Sequence, residues 1–281
     1  MMKSYLNENN YPRVSSITRS ILFWIIFLGL LVGSSYLFVN LFPPVWSRFA
    51  YGIFGTLSAI FTTWMFIKIE KKSFKDIGLV WERGTIFRFF KGILIGTIIF
   101  ILILFILLNF TELQLQKNTK TVSPWNFLGY LVFVPLALME EVAFRSYPFL
   151  KLNKAWGLRI TQIFVAIAFA LYHILNGWSA YSSFAGPFVW AFVFGLAAIW
   201  SGGIAMPTGI HIALNVIQPL IGIKGSLPAI WTLDYKEGTT ADQIAKAENF
   251  QIGTQLVVLI GAVALTELFI RKKRNKGKSP Q

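Results

Sequence analysis

The feature that most constrains this chain is a succession of uninterrupted apolar runs, each long enough to cross a bilayer. About 17–25 residues at roughly 1.5 Å per residue cover a hydrocarbon core of about 30 Å. Eight such runs fall at approximately 20–40, 49–67, 89–108, 126–152, 158–176, 184–200, 204–223 and 252–270. They are continuously apolar instead of alternating, so they predict helices and not the short alternating strands of a barrel. The first is too long for a cleavable signal, follows a polar arm of some 19 residues and precedes no small-residue cleavage site, so it is expected to stay as a helix. With 55% hydrophobic and 14% charged residues, the expected fold is all-α, a polytopic membrane bundle of about eight transmembrane helices.

The basic residues fix a topology. Of 26 Lys and Arg, alternate assignment of the segments between runs puts 20 on the side of the two termini and 6 on the other. Cytoplasmic loops carry the excess of Lys and Arg, so both termini are expected in the cytoplasm of a multi-pass protein of the cell membrane. The formal charge of +14 is then topological, and no nucleic-acid partner is expected. The tail Arg271-Lys272-Lys273-Arg274-Asn275-Lys276-Gly277-Lys278 reads as a stop-transfer signal and an anchor to anionic lipid. One membrane domain is expected, divided into an arm (1–19), N-terminal helices (20–123), a central segment (124–223), a non-cytoplasmic loop (224–251) and a last helix with its basic tail (252–281). That loop carries Asp234, Glu237, Asp242 and Glu248, as a partner site or simply a surface. The absence of cysteine removes disulfides, thiolate catalysis and sulfur-based metal centres.

A charge inside hydrocarbon costs at least about 2.5–3.5 kcal/mol on insertion scales, so each one there is a functional hypothesis. Of 12 acidic residues only Glu140 and Glu141 lie well inside a run, since Glu267 reaches the interface beside the basic tail. Both histidines, His173 and His211, are also inside runs. Glu141 and Arg145 are four apart with the acid first, the favourable order for an ion pair, which makes Glu141 structural. Glu140 lies about 100° around the helix and has no partner there, so it is free to act as a general base. An antiparallel hairpin turning near Asn153–Gly157 brings Glu140 and His173 to similar depth, provided the first helix runs unbroken past Glu141 and the Pro148 region to about Leu152. His211 and Asn215 share one helix face and can both donate hydrogen bonds into one cavity. Structural readings stand beside these: an interhelical hydrogen bond for either histidine or for Asn215, and core packing for Phe169.

The stretches Glu140-Glu141-Val142-Ala143-Phe144-Arg145, Phe169 to His173 and His211 to Asn215 carry the patterns EExxxR, FxxxH and HxxxN in order on successive helices. In this the chain resembles the CAAX protease and bacteriocin-processing family (CPBP, also called Abi), over roughly residues 124–223, which makes the central segment a CPBP-like catalytic core. The resemblance implies an eight-helix intramembrane glutamate endopeptidase. It implies that Glu140, assisted by His173, activates water, that His211 and Asn215 stabilise the oxyanion, that Arg145 anchors Glu141, and that Phe169 packs the motif helix. Preorganised donors of that kind are worth roughly 10²–10³ in rate each.

The expected mechanism uses no cofactor. Zinc held among Glu140, Glu141, His173 and His211 is the alternative, weakened by the absence of HExxH and by the use of Glu141 for Arg145. No aspartate lies in a run, which removes an aspartate dyad, and the rhomboid-like Gly177-Trp178-Ser179 falls in a loop with the wrong order relative to the histidines. The expected substrate is a peptide or a membrane-proximal protein segment, cut near the cytoplasmic half of the bilayer. Family resemblance points to bacteriocin or signalling-peptide maturation or to bacteriocin self-immunity. The rivals are a non-catalytic membrane scaffold or regulator on the same fold, and a proton relay through Glu140, His173 and His211.

Overall fold

The computed structural model describes residues 13–38, 41–120, 123–223 and 227–276. Its elements in chain order are α1 (Arg13–Phe38), α2 (Pro44–Ile69), α3 (Thr85–Phe110), β1 (Leu113–Lys117), α4 (Phe133–Arg145), α5 (Tyr147–Leu175), α6 (Ala180–Ala185), α7 (Pro187–Ser201), α8 (Ala205–Leu220), β2 (Trp231–Tyr235) and α9 (Ala241–Lys276). Short 3₁₀ turns occupy Phe74–Ile77 and Pro124–Val132. The fold is a polytopic helical membrane bundle.

Among the described residues six helical stretches are long and apolar enough to cross a membrane. The difference from the eight expected has a simple origin. Pro124–Leu175 qualifies as one stretch but holds two expected spans, and Gly157, with φ 77° and ψ 170°, is the non-helical residue that divides them. It falls inside the expected turn. The seventh expected span is α8, whose 16 residues reach about 24 Å, short of a full crossing.

Three boundaries differ from expectation. Helix α1 begins at Arg13, inside the expected arm, and residues 1–12 lie outside the described set. Helix α9 begins at Ala241, inside the expected loop, and runs to Lys276; Gly277 and Lys278 of the basic tail lie outside the described residues. The third is a pair of strands that the apolar runs did not announce. β1 and β2 form an antiparallel ribbon in register from Leu113↔Tyr235 to Lys117↔Trp231. Leu113-Gln114-Leu115-Gln116 and Trp231-Thr232-Leu233-Asp234 alternate apolar and polar side chains with period two, the pattern of a half-covered strand.

Between helices in lipid there is little hydrophobic driving force, so association rests on close van der Waals contact, and small residues permit it. A Cβ at Gly209 of α8 would collide with the Phe89 carbonyl of α3, and one at Gly92 would collide with the Met206 carbonyl. Backbones therefore touch where α3 meets α8, two residues before His211. In the same way Gly55 of α2 makes room for Met139 of α4, the neighbour of Glu140.

The Lys/Arg-rich end of the bundle has its own anchor. Glu70, just past the end of α2, accepts hydrogen bonds from Arg19 (2.8 Å), Lys72 (2.5 Å), Tyr147 (2.6 Å) and Lys151 (2.5 Å). Burial pushes its carboxyl up, but the hydrogen bonds from Lys151, Lys72 and Tyr147 outweigh that and bring it down to about 2. Nearby, Arg159 grips Glu267 with two bonds of 2.5 and 2.6 Å, tying α5 to α9. Glu267 is therefore an interhelical tie, not only a partner for the basic tail.

Candidate active site

Helix α4 stops directly after Arg145 because Pro148 stands three residues further on. Proline has no N–H, and in a continuous helix its ring would strike the carbonyl of Phe144. The break falls at Ser146 (φ −99°, ψ −111°), whose hydroxyl turns back to the Val142 carbonyl, and Pro148 sits in the first turn of α5. This corrects the expectation of an unbroken helix to Leu152. The break did not separate the two residues concerned: Glu140 and His173 line the same cavity.

That cavity, of about 890 Å³, is also lined by Phe169, His211 and Asn215. Glu141 and Arg145 lie behind its wall with no exposure. The two adjacent glutamates thus separate as helix geometry requires, one toward the cavity and one into the packed bundle. Glu140 Oε2 lies 3.5 Å from His211 Nε2, and Glu141 Oε1 lies 2.9 Å from His211 Nδ1. One imidazole bridges both carboxylates.

The hydrogen bonds settle which ring nitrogens carry protons. His173 Nδ1 is 2.8 Å from the Phe169 carbonyl, which only accepts, so Nδ1 carries the hydrogen and Nε2 is left with its lone pair in the neutral ring. His211 Nδ1 donates to the Glu141 carboxylate by the same logic, leaving Nε2 to face Glu140.

Aromatic rings hold the remainder. The expected Glu141–Arg145 pair is present but long, Nε to Oε2 at 3.6 Å, and no guanidinium nitrogen has a hydrogen-bond partner. The cation sits instead over the rings of Phe169 (4.2 Å), Phe194 (5.1 Å) and Phe144 (5.9 Å). Phe169 therefore packs the motif helix, cradles Arg145 and meets the His173 ring edge-on at 4.6 Å. Phe194 stacks on His211 at 4.6 Å and 16°. Trp178 closes on His173 edge-to-face at 5.2 Å, and Ser179 of the rhomboid-like stretch caps α6 by accepting from the Ser182 N–H.

Residues 120–217 match the family model described as type II CAAX prenyl endopeptidase Rce1-like. This segment belongs to the CPBP family. No curated protein matches the chain. The matched segment contains α4 to α7 and most of α8, and with them all seven residues singled out by the motifs, and the match supports a CAAX-type intramembrane protease.

The structure adds three things the motifs did not give. The His211–Glu141 bond was hidden because 70 residues separate the partners. Phe194 lies in α7, outside every motif, in a run of aromatics with nothing to single it out. The depth also differs from expectation. All of the cavity lies on the side of the bundle away from the Lys/Arg-rich loops, with α2 contributing only Arg48 and Tyr51 near its start. The site was expected near the cytoplasmic half of the bilayer, but His173 is 16 residues beyond the turn at Gly157, about 24 Å along the helix.

Proposed function

We propose that the chain is an intramembrane glutamate endopeptidase that hydrolyses a peptide or a membrane-proximal protein segment. Glu140, with His173, takes a proton from water as the oxygen attacks the scissile carbonyl carbon. The resulting oxyanion is stabilised by His211, which Glu141 holds in place, and by Asn215. Collapse breaks the C–N bond, and the proton held by Glu140 passes to the leaving amine.

What supports this reading most is the sorting of polar groups. Glu140, His173, His211 and Asn215 share one cavity while Glu141 and Arg145 are sealed behind it. The His173 tautomer leaves an acceptor for a water proton, and the 3.5 Å between Glu140 and His211 lets one carbonyl lie against both base and donor. A scaffold has no use for ionisable groups buried at such cost.

Among the described residues no group of three or more His, Asp or Glu side chains is arranged to hold a metal ion. We assign His211 to the oxyanion and Glu141 to His211, on the bond between those two side chains. Purified protein in liposomes, offered a peptide pool, should cleave equally with and without chelator. Loss on chelation with recovery on added zinc would refute the metal-free mechanism. The same assay with Glu140→Gln should show no cleavage.

We place both termini in the cytoplasm, with Arg271 to Arg274 at the end of α9 against anionic lipid. The biological role we favour is maturation of a bacteriocin or signalling peptide, or self-immunity.

A further inference from the structure

Among the described residues the cavity lies toward one end of the bundle. From α3 its walls take Phe100 to Leu107, the half nearest β1, and from α9 they take Glu248 to Gln255, the half nearest β2. Leu233 of β2 and Ser182 of α6 line it too. The Lys/Arg-rich segments lie at the opposite ends of these helices: the 68–91 connection, the turn at 151–159 and the stretch from Arg271. Glu140 itself follows Met139, which packs against Gly55, 11 residues from the start of the 26-residue α2 and 14 from its end. The carboxylate is thus near mid-membrane, and the cavity extends from it away from the basic face.

Taking the excess of Lys and Arg as the cytoplasmic face, we propose that the active-site cavity opens outward, to the non-cytoplasmic side, and that the substrate is an exported polypeptide entering beneath the β1–β2 ribbon. What is done in the cavity rests on the function proposed above; the side on which it opens does not. A cytoplasmic C-terminus would have to pass through the packed α1, α2 and α5 ends around Glu70 to reach Glu140.

The walls suit an extended peptide. Glu248, Gln251 and Gln255 recur at three and four residues, which places them on one face of α9, opposite the apolar Phe100, Leu104 and Leu107 of α3. Gln255 Oε1 is buried with no protein partner. A polar stripe facing an apolar one pairs with a peptide's amides on one side and its side chains on the other.

The chain contains no cysteine, so single cysteines report their own side of the membrane. Ser182→Cys in the cavity wall, Glu237→Cys beyond β2 and Lys75→Cys in the basic connection all replace exposed residues. A membrane-impermeant maleimide applied to intact cells should label the first two at least about tenfold more than Lys75→Cys, which should react fully only after permeabilisation. Labelling of Lys75→Cys with protection of the other two would overturn the outward opening. In the same cells, protein termini that vanish in Glu140→Gln should lie in exported sequences. Their location in cytoplasmic proteins would overturn the substrate assignment. Outward labelling with no Glu140-dependent termini anywhere would refute the endopeptidase function and leave the outward opening standing.

Discussion

Removal of the Glu141 carboxylate tests the bundle behind the cavity wall. Arg145 is fully buried, its nitrogens have no hydrogen-bond partner, and its charge is balanced by Glu141 at 3.6 Å and by three aromatic faces. At an effective dielectric of about 20, unit charges at that distance attract by about 5 kcal/mol. Breaking a buried pair from one side typically costs about 3–5 kcal/mol. The rings remain in Glu141→Ala and retain about 2 kcal/mol of cation–π attraction, while the bond from His211 Nδ1 is lost for about 1.5–3 kcal/mol. The variant should therefore be less stable by about 3–5 kcal/mol in reversible unfolding in mixed micelles. Adding Arg145→Met removes the stranded cation, so the double variant should recover a substantial part of that loss. A single variant within about 0.5 kcal/mol of wild type, or a double variant no more stable than the single, would refute the reasoning.

Other expectations concern the site, the basic face and helix packing. His173→Ala should abolish turnover while the protein stays folded in the membrane, and Asn215→Ala should lower kcat more than substrate affinity, as single-turnover kinetics would reveal. Glu70 has a folded-state pKa depressed to about 2 against an ordinary value of 4.5, so its contribution to stability is complete above about pH 4.5 and is lost as pH falls through about 2. Acid unfolding of Glu70→Gln should accordingly show less pH dependence in that window than wild type. Gly209→Ala places a Cβ against the Phe89 carbonyl and should cost about 1–3 kcal/mol of stability. Its unfolding midpoint measured beside Gly253→Ala, where a Cβ meets nothing within 4 Å, checks that the cost comes from the close approach.

The parts of this molecule legible in the sequence were those encoded in local spacing. Apolar run length located the membrane helices, and the 100° step between neighbours separated Glu140 from Glu141. The turn near Asn153–Gly157 was found from the gap between two runs, and Gly157, free to take positive φ, is where the helices divide. What escaped depends on contacts between distant segments. The bridging of both glutamates by His211 needs α8 to settle at one height against α4, which the glycines of α3 and α8 determine. Glu70 sat at the edge of a run and drew no attention, yet four side chains from three segments converge on it. The break at Ser146 was readable from Pro148 two positions on. The depth of the cavity was not, because motif positions give distance along a helix without showing which end of the bundle is closed.

The most direct measurement is a comparison of protein and peptide termini in cells carrying wild-type chain or Glu140→Gln at matched membrane abundance. A glutamate endopeptidase predicts a discrete set of termini present with the wild type and absent with the variant. Identical termini in the two, with an identical phenotype, would contradict it and leave a membrane scaffold in its place.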